Sequence, residues 1–529
     1  MAGLVRMTWL APTLSALLLF LAFLPGPFAW AGFLWVVPLA LWATTAPDWR
    51  TWHRATALAS GGVWLGLLAW LRHVEPPLGW LGWILLASYC ALYLWVWLSA
   101  LRWILPWAEK RPLHDRVLSL LGLAALWILL EALRGWALTG FGWLPLAASQ
   151  TSNPVMLALC AWAGPQGLSG ALILTNLALA RWLRRQFNEL RPGVDQPLTP
   201  RNFLRGFTPE LWLGLVPIIF AFWLHLEYLR SQATQPAAVT LRLAAVQTDT
   251  DPYRKWEGSS AALQVRELAA LTLEAGDVAP DIILLPEAAA PYPLGDSGYQ
   301  ALLRRLAADT GATLLVGAVD AREKGYANVI AAVPVSGGSI QQQAKRRLVP
   351  FGEYVPLADY LPLRKLVPIP QDCIPGAAAT PLVVTTRAGT TLALGALVCY
   401  EDIFPELARD HALAGAHALV VLTNDAWYGR ELGAWQHAAH SSLLAASSRL
   451  PVLRCGNAGW SGIVEPTGQS RPALREGSIY FRGAVDLGEV VVASSPAPTR
   501  WVLAGNWLVW PAAATFLLLA LRRRRLPIE

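Results

Sequence analysis

Three residues in this chain combine side-chain types that covalent acyl transfer requires, and each closes or follows a short apolar run. Glu287 ends DIILLPE, Lys345 lies in QQAKRRLVPFGEYVP, and Cys399 ends TLALGALVCYED. A thiolate is a strong nucleophile, and a thioester stays reactive toward an amine. A carboxylate can take the thiol proton, and an ammonium can stabilise both the thiolate and the oxyanion of a tetrahedral intermediate. Singly, each residue has a plainer reading: a small buried hydrophobe, a loop or capping carboxylate, and the start of a solvated basic triplet. Together they supply a nucleophile, a base and a cation.

The elements that must position them are strands. Runs such as LRLAAVQ, DIILLPE, TLLVGAV, NVIAAVPV, LALGALVCY, ALVVLTND and LPVLRCGN alternate with helical patterns at 258–276 and 297–309. Strands interleaved with helices indicate an α/β domain with a buried sheet, whose functional residues gather at strand C-termini. At about 265 residues, the segment 232–497 is long enough for one full core.

The rest of the chain has another character. Of 529 residues 55% are hydrophobic and 15% charged, with 28 Trp; soluble domains carry about 25% charged residues. Seven apolar stretches of roughly spanning length crowd positions 9–24, 28–46, 55–72, 79–105, 117–134, 155–182 and 211–229, and an eighth runs from Trp501 to Leu521. Ala29-Trp30-Ala31 imitates a signal cleavage site, but another apolar run follows at once, so the first stretch reads as an uncleaved span. The expected architecture is a polytopic α-helical membrane protein of eight spans. Its domains are 1–231 with seven spans, 232–497 as an α/β insertion between spans seven and eight, and 498–529 with the last span and a basic tail.

The net charge of +7 does not read as a nucleic-acid signal once the basic residues are placed. Arg50, Arg54, Arg102, Lys110, Arg111, Arg116, Arg181, Arg184, Arg185, Arg191, Arg201, Arg205 and Arg522 to Arg525 fall on one side of the spans, against little beyond Arg72 and Arg134 on the other. The positive-inside rule then puts both termini in the cytoplasm and the insertion outside.

The ordered elements LPE, K-x-x-LVPFGE-x-VP and CYE resemble the Glu-Lys-Cys triad of the nitrilase, or carbon–nitrogen hydrolase, superfamily. With NDAWYG, W-Q-H, GN-A-G, the leading spans and the closing GNW span, the whole chain resembles the bacterial apolipoprotein N-acyltransferase family. The resemblance implies an αββα sandwich for the insertion and a ping-pong reaction. A phospholipid, commonly phosphatidylethanolamine, would acylate Cys399, and the α-amino group of a diacylglyceryl-cysteine at an apolipoprotein N-terminus would accept the chain. By position Glu287 matches the general base, Lys345 the oxyanion-stabilising lysine and Cys399 the nucleophile. Glu353 matches a second glutamate that positions the lysine, and Tyr400 and Glu401 follow the nucleophile, with the Tyr400 N–H a natural oxyanion donor. Asn328 matches an asparagine of a Y-N element, although Ala327 intervenes here; Trp256 and Trp427 match tryptophans lining the acyl and headgroup region. No cofactor is implied. The resemblance further implies a monomer in the bacterial inner membrane with a periplasmic catalytic domain.

Other signals weigh less. His437 and His440 at i, i+3 lack a third ligand at zinc spacing and read as polar helix residues near the pocket wall. Glu131 and Arg134, within the fifth span, either pair at the membrane boundary or serve substrate access. Nothing in the sequence brings Cys373 and Cys455 together as a disulfide. Apolar loops around 291–298, 355–377 and 427–433 are expected to dip into a lipid interface. Two rival readings remain: a membrane-anchored amidase or nitrilase with the same triad that releases its acyl group to water, and a transporter or lipid-handling scaffold with an inactive outer domain. Eight spans favour transfer over hydrolysis, and the intact triad disfavours a scaffold.

Overall fold

All seven apolar runs singled out as strands pair in the computed structural model, which describes residues 2–75, 78–189, 209–234, 238–367, 369 and 371–526. The chain divides into two units, one of residues 1–231 with 504–529 and one of residues 232–503.

The second unit holds two six-stranded sheets. One has the order β12-β1-β2-β3-β4-β5, formed by β1 (Ala238–Gln247), β2 (Ile282–Leu285), β3 (Thr313–Arg322), β4 (Gly325–Val333), β5 (Gln341–Ala344) and β12 (Gly483–Ala493). The other has the order β11-β10-β9-β8-β7-β6, formed by β6 (Leu382–Thr385), β7 (Thr391–Val398), β8 (Ala418–Asn424), β9 (Val452–Asn457), β10 (Gly462–Val464) and β11 (Ser470–Pro472). β1, β2 and β3 run parallel, as do β7, β8 and β9. β2 and β8 are buried along their whole length, which explains their unbroken apolar runs.

Leu243, Leu284 and Leu315 of the first sheet meet Leu394, Val420 and Leu453 of the second in one core between the sheets. Each such side chain stabilises by roughly 1.5–3 kcal/mol relative to exposure. On the outer face of the first sheet, Val246, Ile283 and Val316 pack with Leu268 and Leu303 of helices Ala261–Gly276 and Ser297–Thr310. Helices Pro405–Leu413 and Gly433–Ser448 cover the second sheet. The layers are therefore αββα. The parallel strands at the centre of each sheet bring the ends of β2, β7 and β8 to one edge of the sandwich.

In the first unit the expected spans are helical but not all continuous. Among the described residues, Leu78–Glu109, Leu113–Thr139 and Pro209–Gln232 are long and apolar enough to cross a membrane, and Trp9–Ala22 and Ala29–Thr44 are shorter apolar helical stretches. The stretch 28–46 breaks into a 3-10 turn, Ala29–Phe33, and helix Val37–Thr44, which Pro38 starts. In 155–182 the chain kinks at Gly164 (φ 71°), just ahead of Pro165, which has no N–H to give the helix. The last stretch divides into Arg500–Ala504 and Val509–Arg525, with Gly505 at φ 61° between them. Arg191, Arg201 and Arg205 of the charge count lie outside the described residues.

Ion pairs join the ends of these helices: Arg116 with Glu210 at 2.6 Å, Arg181 with Glu109, and Arg522 with the buried Asp115. Glu131 and Arg134 find separate partners. Glu131 accepts from Trp127 Nε1 (2.8 Å) and Leu146 N (2.7 Å), while Arg134 donates to Leu144 O (3.3 Å) and lies over the Trp64 ring at 4.8 Å. All five cysteines are free; Cys455 is buried between the sheets, where its thiol donates to Val246 O at 3.3 Å.

His411, on the helix behind β7, is wholly buried against Gly395. Burial, aided by the positive charge of Arg346, holds its pKa down at about 4. An unfolded histidine titrates near 6.5, so the unfolded chain takes up the proton first as pH falls. The neutral ring therefore costs nothing above pH ~6.5, and stability is lost progressively from there down to pH ~4, by about 3 kcal/mol in all. Melting temperatures of the detergent-solubilised protein are expected to fall less steeply across this window in His411→Leu than in the wild type; equal slopes would contradict this assignment.

Candidate active site

The site is built where β2, β7 and β8 end. Glu287 follows β2 through Pro286, and its main chain lies so close to β3 that a Cβ on Gly317 would stand 2.5 Å from Glu287 Cα. Only glycine fits there. Ala289 N then bonds Gly317 O at 2.8 Å, turning the chain away from the sheet.

The Glu287 carboxylate is held at both oxygens. Oε1 accepts from Asn328 Nδ2 (2.7 Å) on β4, and Oε2 accepts from the main-chain N–H of Asn424 (2.9 Å) at the end of β8. Lys345, just beyond β5, is fully buried. Its Nζ donates to Glu353 Oε1 at 2.9 Å and lies 3.9 Å from Glu287 Oε1. Asn328 also donates to Glu353 Oε1 at 3.1 Å, so one amide bridges the two carboxylates. The second oxygen of Glu353 accepts from Val349 N at 2.8 Å. The structure thus brings Glu287, Lys345, Glu353 and Asn328 into one cluster. The residue intervening in Tyr-Ala-Asn does not keep Asn328 from this place.

Cys399, the residue after β7, has a left-handed conformation, φ 52°, unusual for a side chain other than glycine and costing about 1–3 kcal/mol. Glu401 holds that turn. Its buried carboxylate accepts from Val398 N (2.8 Å), Arg346 N (2.7 Å) and Arg347 N (3.1 Å), tying the cysteine turn to the segment after Lys345. Tyr400 is half-buried, its ring edge-on to Phe404 at 5.1 Å. Trp427 stands in the turn after β8, edge-on to Tyr253 at 5.3 Å, whereas Trp256 is exposed on the loop after β1. Leu357, Tyr360 and Leu361, in the 355–377 loop, are also exposed.

Electrostatics separate the roles of these groups. Burial pushes the Cys399 thiol well up, the Glu287 carboxylate adds to this, and Lys345 opposes it, so the resting sulfur keeps its proton. Burial works against the charged form of Lys345, but Glu353, Glu287 and Cys399 outweigh it and hold the ammonium well above the usual lysine range. A proton on sulfur, a carboxylate anchored by neutral donors and a permanently charged ammonium form a set able to run nucleophilic acyl transfer.

Sequence reasoning missed three features. Asn424 supplies the main-chain donor to Glu287; it sits in NDAWYG, but only strand register shows its role. Lys255, next to Trp256, is buried and donates to Glu287 O at 3.2 Å. Behind the cysteine turn lies a fully buried charge network: Asp402 pairs with His437 Nε2 (2.8 Å) and with Arg454, and Asp425 lies 2.9 Å from His437 Nδ1 and 3.6 Å from Arg454. For Asp402, burial favours the neutral acid, but His437 and Arg454 override it and hold the carboxyl below its ordinary range. His437 thus belongs to an ion network that includes an arginine. Among the described residues no group of three or more His, Cys, Asp or Glu could hold a metal ion.

The carbon-nitrogen hydrolase family matches residues 242–490, and the apolipoprotein N-acyltransferase N-terminal domain family matches residues 15–178. Along the whole chain, the protein is 31% identical to the apolipoprotein N-acyltransferase of Geobacter metallireducens, over 98% of this chain and 96% of that one. The chain belongs to the apolipoprotein N-acyltransferase family. Membership makes it an enzyme of the transferase class. The apolipoprotein N-acyltransferase of Azotobacter vinelandii is 32% identical, over 83% of this chain and 78% of that one. A solved CN-hydrolase superfamily protein, XC1258 of Xanthomonas campestris, is 17% identical with a TM-score of 0.37, over 53% of this chain and 97% of that one.

The buried network yields a stability prediction. Arg454→Met leaves Asp402 and Asp425 facing each other across His437, at a cost of about 3–5 kcal/mol. A large drop in melting temperature is expected, partly restored by adding Asp402→Asn. An unchanged melting temperature would show the network to be dispensable.

Proposed function

We propose that this protein transfers an acyl chain from a phospholipid to the α-amino group of the N-terminal diacylglyceryl-cysteine of an apolipoprotein, through a thioester on Cys399. The observation that carries this reading is the Lys345 ammonium, 2.9 Å from Glu353 and 3.9 Å from Glu287, in a chain of this family. In the first half-reaction Glu287 takes the Sγ proton as sulfur attacks the sn-1 ester carbonyl. The oxyanion forms against the Lys345 ammonium and the Tyr400 N–H. Collapse breaks the ester C–O bond, and the proton on Glu287 passes to the departing glycerol oxygen, releasing a lysophospholipid. In the second half-reaction the acceptor amine attacks the thioester carbonyl and gives its proton to Glu287. C–S cleavage then leaves the amide, and Glu287 returns the proton to sulfur. No redox or metal step is needed, since the acyl group arrives activated as an ester.

Glu353 orients Lys345, and Glu401 and Asn328 fix the cysteine turn and the base. Trp256 and Trp427 line the acyl and headgroup region. The donor is phosphatidylethanolamine, the enzyme acts as a monomer, and no cofactor takes part. The protein spans the bacterial inner membrane eight times, with both termini cytoplasmic and the catalytic domain, residues 232–497, in the periplasm. Exposed Leu357, Tyr360 and Leu361 support a loop that touches the lipid interface.

The hydrolase alternative shares every residue and differs only in the acceptor. With acyl-labelled phosphatidylethanolamine and a diacylglyceryl-cysteinyl peptide, label is expected in the peptide amide rather than in free fatty acid. Glu287→Gln should slow product formation by about 10²–10⁴-fold. Label released chiefly as free acid would favour the hydrolase; a Glu287→Gln enzyme of undiminished rate would remove Glu287 from its role.

A further inference from the structure

Of the two buried lysines among the described residues, Lys345 and Lys255, the mechanism above uses only the first. A buried ammonium is costly to retain unless it is paired, and the one hydrogen bond from Lys255 Nζ points to the active site, to Glu287 O at 3.2 Å. The loop carrying it is fixed at both ends. Lys255 N donates to Asp251 O at 3.1 Å, and Lys255 O accepts from Gln264 Nε2 at 3.2 Å. The Glu287 main chain is therefore pinned between Gly317 of β3 and the Lys255 ammonium.

The charge is as well placed as the hydrogen bond. Glu287 takes its direct hydrogen bonds from neutral donors, Asn328 and the Asn424 N–H, while Lys345 is committed at 2.9 Å to Glu353. Lys255 adds a second cation whose field reaches Glu287. Burial holds Lys255 down at about 8, with Glu287 drawing it upward, which leaves it charged at neutral pH.

We infer that Lys255 is a positioning residue for the first half-reaction: it clamps the main chain of Glu287 at the strand end, sets a second positive charge beside that residue, and ties the Trp256 loop to the catalytic base. The inference rests on the proposed role of Glu287 as base. The charged and titratable groups around Glu287 are Lys345 beyond β5, Glu353 through Asn328, Cys399 at the end of β7 and Lys255 from the loop after β1. Asp251, Arg254 and Glu257 share the Lys255 loop.

The test follows thioester formation on the full-length protein in detergent. Dioleoyl phosphatidylethanolamine serves as donor, and quenched intact-mass measurements run from acid to alkaline pH. Lys255→Gln keeps a donor without charge and is expected to form the thioester about ten-fold more slowly or worse. Its acidic limb should move up by about one pH unit or more, because a nearby cation no longer favours the carboxylate. Lys255→Arg should keep the limb at its wild-type position. Lys255→Met reads the same limb should the Gln variant fail to fold. A Gln or Met variant with wild-type rate and limb, changed only in melting temperature, would overturn the inference, as would an Arg variant whose limb shifts equally. A wild-type protein that forms no adduct beyond the Cys399→Ala control would instead overturn the thioester reading, a separate result.

Discussion

One ammonium sets the terms for everything around it. Lys345 is fully buried, and two carboxylates lie within reach of its single charge. The closer partner, Glu353, neutralises it, and the farther one, Glu287, is left to act as a base in the proposed reaction. Asn328 enforces the division by donating to both carboxylates, at 2.7 and 3.1 Å. Had Lys345 paired fully with Glu287, the base would have been quenched; with no partner at all, burial would have driven the lysine toward its neutral form.

The fold serves that arrangement through strand ends. Parallel β1–β2–β3 and β7–β8–β9 deliver Glu287, Cys399 and Asn424 to one edge, and Glu401 and the Asp402–His437–Arg454–Asp425 network hold the turns that follow. The left-handed backbone at Cys399 persists because its neighbours fix it: the Val398 N–H on one side and the Glu401 carboxylate on the other are one bonded unit. The local strain and the buried charges thus sit together, at the place where a sulfur must be held without being ionised.

Much of this was legible in the sequence because strand ends announce themselves. A short apolar run is a local signal, by which seven of the twelve strands could be read, and two of those runs close on Glu or on Cys followed by Tyr-Glu. The others could not. β5 is QQQA, β6 is only the four residues LVVT, β10 and β11 are three residues each, and β12 pairs antiparallel at the sheet edge with half-exposed side chains. Lys255, Asn424 and Arg454 were hidden for another reason: their partners are 32, 137 and 52 residues away, and only sheet register joins them. Among the helices, composition located the apolar stretches, while Pro38, Gly164 with Pro165, and Gly505 decided where they break.

The central claim is that Cys399 carries the acyl group. It is tested most directly by the intact mass of purified protein after incubation with a phospholipid, beside a Cys399→Ala control. Cys373 is the one cysteine of the five that is not buried, so the control must separate its thiol from that of Cys399. The account predicts one added acyl mass that hydroxylamine removes and that the control lacks. An adduct retained in Cys399→Ala, or acyl transfer to peptide at an undiminished rate without that thiol, would contradict it.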